Sequence, residues 1–205
     1  MEPASPILSA KAELRREIRA AMEKISPAVR AVESIEVCDR LERQLHSAHA
    51  LLFFAPMPDE LDVWPLLEKF LAAGKICALP AFDPLTGQYS ARRLTHLETD
   101  LVTGKFGVRE PAASTEAIPL NRFDLILVPG MAFDQRGNRL GRGRGFYDQI
   151  LSAASGIKCG VAYDFQIRET IPAEAHDMPV HFIMTPTRCV RRQAATPDRP
   201  TSSAN

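Results

Sequence analysis

The apolar residues of this chain gather in short, nearly continuous runs, and those runs dictate an open α/β sheet. Ala50-Leu-Leu-Phe-Phe-Ala55, Ile76 to Leu79, Asp124-Leu-Ile-Leu-Val128 and Ile157 to Tyr163 are too brief for packed helices. They are too uniformly apolar for strands with one wet face, so they read as strands buried on both. Between the first two lies a helical pattern over residues 63–73, with Leu66, Leu67, Phe70 and Leu71 inward and Gly74 as its stop. Strand, helix, strand in that order requires a right-handed crossover onto a parallel sheet. Val180 to Met184 reads as the last strand, Ser90 to Leu94 as a further one, and residues 95–122 mainly as loop.

Two helices precede the first strand. Leu14, Ile18, Met22 and Ile25 recur at helical spacing from Ser9 to about Ile25. Ser26-Pro27 then reads as an N-cap and first-turn proline opening a helix to about His46, with Val37, Leu41 and Leu45 inward. Another helix covers roughly 146–154 and stops at Gly156. The sum is a single-domain, three-layer α/β fold over residues 9–190: an open, mostly parallel sheet with helices on both faces. Residues 1–8 and 193–205 read as flexible tails.

Composition narrows the partners. Lys plus Arg equals Asp plus Glu at 25 each, so no global field draws nucleic acid or an anionic membrane. Any anion site must be local. Cys38, Cys77, Cys159 and Cys189 show no paired or zinc spacing and read as reduced thiols. No apolar run nears the roughly 20 residues of a spanning helix, and the N-terminus lacks the pattern of a signal peptide. A cytoplasmic monomer is the expectation.

The chemistry concentrates in Arg139-Leu-Gly-Arg-Gly-Arg-Gly-Phe-Tyr-Asp148. Gly141, Gly143 and Gly145 let backbone N–H groups approach a ligand and form an anion nest. Arg139, Arg142 and Arg144 add donors suited to phosphate, and the next helix presents its N-terminus to the same anion. A polyphosphate is the natural ligand; the plainer alternative is a flexible basic turn capping a helix. The loop follows a strand, as do Met57-Pro-Asp-Glu60 and residues 162–177, and open α/β sheets bind ligands at such ends. Asp148 reads either as a helix-start carboxylate or as a Mg²⁺ ligand beside phosphates, with Asp177 as a second. Glu60 reads as a helix-entry acid or as an acceptor for substrate N–H donors. Lys11 and Arg15, four apart on one helix, read by default as a solvated face. His176 and His181 read as loop and edge-strand residues rather than metal ligands.

The stretch from Val128 to Asp148 resembles the signature of the 5-formyltetrahydrofolate cyclo-ligase family. Lys11-Ala-Glu-Leu-Arg15, Glu60-Leu-Asp62 before Pro65-Leu-Leu67, and Gln166, Ile171-Pro172 and His176-Asp177 resemble further family segments in the same order. The resemblance spans roughly residues 10–188. It implies a fold of the NagB/RpiA/CoA-transferase type and an ATP- and Mg²⁺-dependent cyclisation of 5-formyltetrahydrofolate. Lys11, Arg15 and Arg139, Leu140, Gly141, Arg142, Gly143, Arg144, Gly145, Phe146 and Tyr147 would hold ATP. Arg15, Arg144 and Tyr147 would serve the chemistry, Ala55 and Glu60 the reduced folate, and Asp148 and Asp177 the Mg²⁺. The family usually carries a tyrosine where Phe146 stands, so no catalytic role is expected there. Segment 83–119 matches poorly. Another small ATP-dependent kinase or ligase, or a non-catalytic relative binding nucleotide or folate, are the competing readings.

Overall fold

The computed structural model describes residues 6–83, 86–104, 107–174 and 177–193. The chain opens with α1 (Pro6–Met22) and α2 (Pro27–Leu45). Ser26 caps α2 by accepting the Val29 N–H, and Pro27 occupies its first turn, where a missing N–H costs nothing. Then come β1 (Ala50–Leu52), α3 (Trp64–Ala72), β2 (Ile76–Asp83) and β3 (Gln88–Leu94). The middle holds α4 (Leu97–Asp100), β4 (Leu101–Thr103), β5 (Arg109–Pro111) and β6 (Ala117–Ile118). The last third runs β7 (Leu125–Pro129), β8 (Ala132–Asp134), β9 (Arg139–Leu140), α5 (Phe146–Ala153), β10 (Ile157–Val161), β11 (Ile167–Arg168), β12 (Phe182–Met184) and β13 (Cys189–Arg191).

Among the described residues the main sheet has eight strands in the order β13-β12-β10-β7-β1-β2-β3-β6. β2, β1, β7, β10 and β12 run parallel; at one edge β3 pairs antiparallel with β2 and β6 antiparallel with β3, and at the other β13 pairs antiparallel with β12. From β1 the chain first crosses outward to β2, then returns to lay β7 on β1's other side and continues away from it. That reversal opens a crevice beyond the carboxyl ends of β1 and β7.

The sheet is covered on both faces. Leu51, Cys77, Leu79, Leu125 and Leu127 face Ile18, Val37, Leu41, Leu66 and Leu67 of the first three helices. The alternate residues Ala50, Leu52, Ala78, Ile126 and Val128 face Ile150 and Leu151 of α5. Period-two alternation thus serves two apolar layers, which is why the strands carry no polar face.

Several boundaries differ from expectation, each for a local reason. α1 begins at Pro6, so part of the expected leader is helical. β2 continues past Pro80, where a strand end is expected. The proline pairs with Ala91 of β3, while β1 pairs β2 only through Ala78, so the absent N–H faces no partner strand. Residues 95–122 hold short elements rather than loop alone. Residues 129–145 hold the β8–β9 hairpin, with β11 added beside β8. The final strand is β13, not residues 180–184. Of the expected tails, residues 1–5 and 194–205 lie outside the described residues.

Gly156 does more than end α5. A Cβ there would stand 2.2 Å from the Phe123 carbonyl oxygen and 3.0 Å from the Asp124 carbonyl carbon, both backbone atoms. Gly156→Ala is therefore expected to cost about 1–3 kcal/mol by overpacking the turn between α5 and β10. A urea melt with an unchanged midpoint would contradict this.

Candidate active site

The crevice is walled by the segment after β1, the hairpin and loop after β7, and α1. Arg15 fastens α1 to the glycine-rich loop: its Nε donates to the Gly141 carbonyl at 2.8 Å. At Gly143 a Cβ would sit 3.5 Å from the Arg15 guanidinium carbon. Gly143 and Gly145 have φ of +96° and +68°, a region L-residues rarely adopt, so the turn into α5 needs glycine at both. The loop's other residues are mostly exposed, which leaves its backbone N–H groups accessible beside the N-terminus of α5.

Three cations of the site, Lys11, Arg139 and Arg142, are engaged with acids. Lys11 is buried at 6% exposure, and its Nζ donates to Glu174 Oε2 and Asp177 Oδ2, both at 2.8 Å. The solvated-face reading therefore fails for Lys11. Burial pulls its pKa down, but the two carboxylates more than reverse this and leave it raised. Arg139 is 8% exposed and donates Nη2 to Asp148 Oδ1 at 2.6 Å. Leu140 gives its side chain to the core at 0% exposure, so only its backbone borders the loop. Arg142 donates Nη2 to Asp59 Oδ1 at 2.6 Å and to Glu60 Oε1 at 3.0 Å. The other Glu60 oxygen accepts the Met57 N–H at 3.0 Å. Burial pushes the Glu60 carboxyl up, against the pull of Arg142.

Aromatic rings gather at the start of α5. Tyr147 lies near Arg139, 5.6 Å from guanidinium carbon to ring centre, and burial raises its phenol far above the usual range. Its phenol therefore stays protonated as a donor. Phe146 is 45% exposed and packs on Tyr89 of β3 at 5.7 Å, which in turn meets Phe82 at 5.1 Å. Ala55 lies half-buried at the mouth of β1.

Asp148 stands in the first turn of α5 and Asp177 beside Lys11, each bonded to a cationic side chain. Among the described residues no three His, Cys, Asp or Glu side chains converge into a cage. Mg²⁺ is content with one or two carboxylates when phosphates complete its shell. His181 accepts the Lys158 backbone N–H through Nδ1 just before β12, which β13 covers, so it is not the edge-strand residue expected; His176 lies outside the described residues.

Three contributors escape a reading of the sequence. Asp59 and Glu174 gain their place only from tertiary pairing with Arg142 and Lys11. Asp134, 1% exposed, accepts the N–H groups of Arg136 and Asn138 at 2.9 and 3.0 Å through Oδ1. Its Oδ2 accepts the Ile171 N–H at 3.0 Å, pinning the hairpin to the chain that leads to Asp177. The spacing Asp134-Gln-Arg-Gly-Asn138 does carry a turn signature.

The model of the 5-formyltetrahydrofolate cyclo-ligase family matches residues 7–186. The chain is 34% identical over 145 residues to the 5-formyltetrahydrofolate cyclo-ligase of Escherichia coli K12, covering 69% of this chain and 80% of that protein. Identity to the Mycolicibacterium smegmatis 5-formyltetrahydrofolate cyclo-ligase is 33% over 187 residues, 87% of this chain and 94% of the relative. The NMR structure of Aquifex aeolicus 5,10-methenyltetrahydrofolate synthetase superposes with a TM-score of 0.80 at 31% identity. It covers 95% of this chain and 99% of that one.

Lys11→Met removes the cation between two half-buried carboxylates. A loss of about 1–3 kcal/mol is expected, since Glu174 and Asp177 keep some solvent. Denaturant titration checks it; stability equal to wild type would show the ion pairs to be incidental.

Proposed function

The chain belongs to the 5-formyltetrahydrofolate cyclo-ligase family, and from that membership we propose that it couples ATP cleavage to closure of 5-formyltetrahydrofolate into 5,10-methenyltetrahydrofolate. ADP and phosphate are the other products. A formamide oxygen is a poor leaving group, so the formyl oxygen first takes the γ-phosphoryl group and becomes an imidate phosphate. N10 then attacks the activated carbon and phosphate departs with the former formyl oxygen. Such chemistry asks a protein for positioning and for stabilisation of charge, not for a covalent intermediate.

The observation that carries this reading is the joining of α1 to the glycine loop by Arg15 and Gly141 at 2.8 Å, with Glu60 tied to the same loop by Arg142. A triphosphate on the loop and a pterin at Glu60 would thus be neighbours. Backbone N–H groups of residues 141–145 and the N-terminus of α5 bind phosphate oxygens. Arg15 and Arg144 face the transferred group. Tyr147, half-buried and protonated, donates to an oxygen near the reacting centre. Asp148 and Asp177 would hold Mg²⁺ that arrives with the triphosphate, supplying charge neutralisation on the phosphates. Lys11 and Arg139 then release part of their hold on those carboxylates and turn toward phosphate. Glu60 accepts the N–H donors of the reduced pterin, with Ala55 beside it.

No described helix is long and apolar enough to cross a membrane. A cytoplasmic monomer working on two small molecules accords with the balanced charge.

Incubating the chain with 5-formyltetrahydrofolate, ATP and Mg²⁺ is expected to give the methenyl product, followed by its ultraviolet absorbance. Absence of product with the fold intact refutes the proposal. Asp148→Asn is expected to remove most turnover; unchanged kinetics would make Asp148 a structural partner of Arg139 only. Arg144→Ala is expected to raise the ATP KM. Glu60→Gln is expected to raise the folate KM more than the ATP KM; the reverse pattern would move Glu60 to the nucleotide side.

A further inference from the structure

Arg142 belongs by sequence pattern to the nucleotide loop, yet its guanidinium turns away along the crevice. Nη2 donates to Asp59 at 2.6 Å and to Glu60 at 3.0 Å, and Nε donates to the same Glu60 oxygen at 3.2 Å. Glu60 is thereby held at both oxygens, since Met57 N–H takes the other. Its side chain is only 11% exposed, so few rotamers compete and little water reaches it. Asp59, adjacent in sequence, anchors the arginine to the segment that presents Glu60. Two carboxylates on one planar fork is a geometry lysine cannot reproduce.

Resting on the proposed function, we infer that Arg142 is a positioning residue for the folate: it orients Glu60 and keeps it ionised to accept the pterin N–H donors. Asp59 is the anchor of that clamp. A buried carboxylate without a counter-cation takes up a proton and ceases to be an acceptor at both oxygens. Burial already pushes Glu60 upward, and Arg142 is the main group opposing it. The other titratable groups facing Glu60 are Asp59, Tyr147 at the start of α5 and Tyr163 beyond β10. Both phenols are pushed up by burial, Tyr163 to about 12, so neither titrates where Glu60 does. Asp59 raises Glu60 further, which makes the arginine more necessary.

The test is steady-state kinetics of the full chain over a range of pH, varying folate and ATP in turn. Arg142→Met is expected to raise the folate KM by about tenfold or more, the loss of a charge-assisted pair, with a smaller change in the ATP KM. The acid limb of kcat/KM for the folate is expected to move to higher pH by about one unit or more, because burial then acts on Glu60 unopposed. Arg142→Gln, measured beside it, keeps a long polar side chain and is expected to show the same two shifts should the methionine variant fold poorly. Arg142→Lys restores charge without the fork, so it is expected to return the acid limb but only part of the KM. A raised ATP KM with the folate KM and acid limb at wild-type values would make Arg142 a phosphate donor alone and overturn the inference. Turnover by the unsubstituted chain is the control: absence of methenyl product there refutes the underlying function rather than the role of this residue.

Discussion

The reversal of strand order between β1 and β7 is the constraint on which the rest of the molecule depends. Parallel strands on either side of that point send their connections in opposite directions, so nothing fills the space beyond their carboxyl ends. Into that space the chain delivers Glu60 from one side and the arginine-glycine loop from the other. α1 closes it, because Ile18 and Met22 bury among the helices that cover one face while Lys11 and Arg15 reach the rim.

A second theme is the self-paired state of the site. Lys11, Arg139 and Arg142 all hold carboxylates, and three of those, Asp177, Asp148 and Glu60, are the ones proposed to meet Mg²⁺ or the folate. An empty crevice lined by unopposed cations would suffer mutual repulsion; pairing each with an acid removes it at little cost in ordering. On the proposed function, a triphosphate entering with Mg²⁺ would let anion and cation exchange partners without leaving a buried charge alone. This accounts for a site rich in both signs within a chain whose net charge is zero.

Much of this was legible beforehand. Leu125 to Val128 and Ala50 to Leu52 declared themselves as doubly buried strands because neither carries a polar alternate. Ser26-Pro27 fixed the start of α2, and the glycine-arginine alternation located the loop. What was hidden depends on contacts distant in sequence. Pro80 could stay in β2 only because β1 is short. The β8–β9 hairpin is held by Asp134, whose second oxygen is satisfied by Ile171, far along the chain. Asp59 and Glu174 have no local signature, and Lys11 gave no sign that it would be buried. Arg142 was assigned by its neighbours in sequence, whereas its partners in space are Asp59 and Glu60.

The proposed reaction depends on uptake of a triphosphate by the loop of residues 141–145 at the mouth of this crevice. Isothermal titration of the full chain with a non-hydrolysable ATP analogue and Mg²⁺ tests it most directly. Saturable uptake of one nucleotide per chain, weaker when Mg²⁺ is withheld, is expected. A flat titration on a cooperatively folded sample would contradict it.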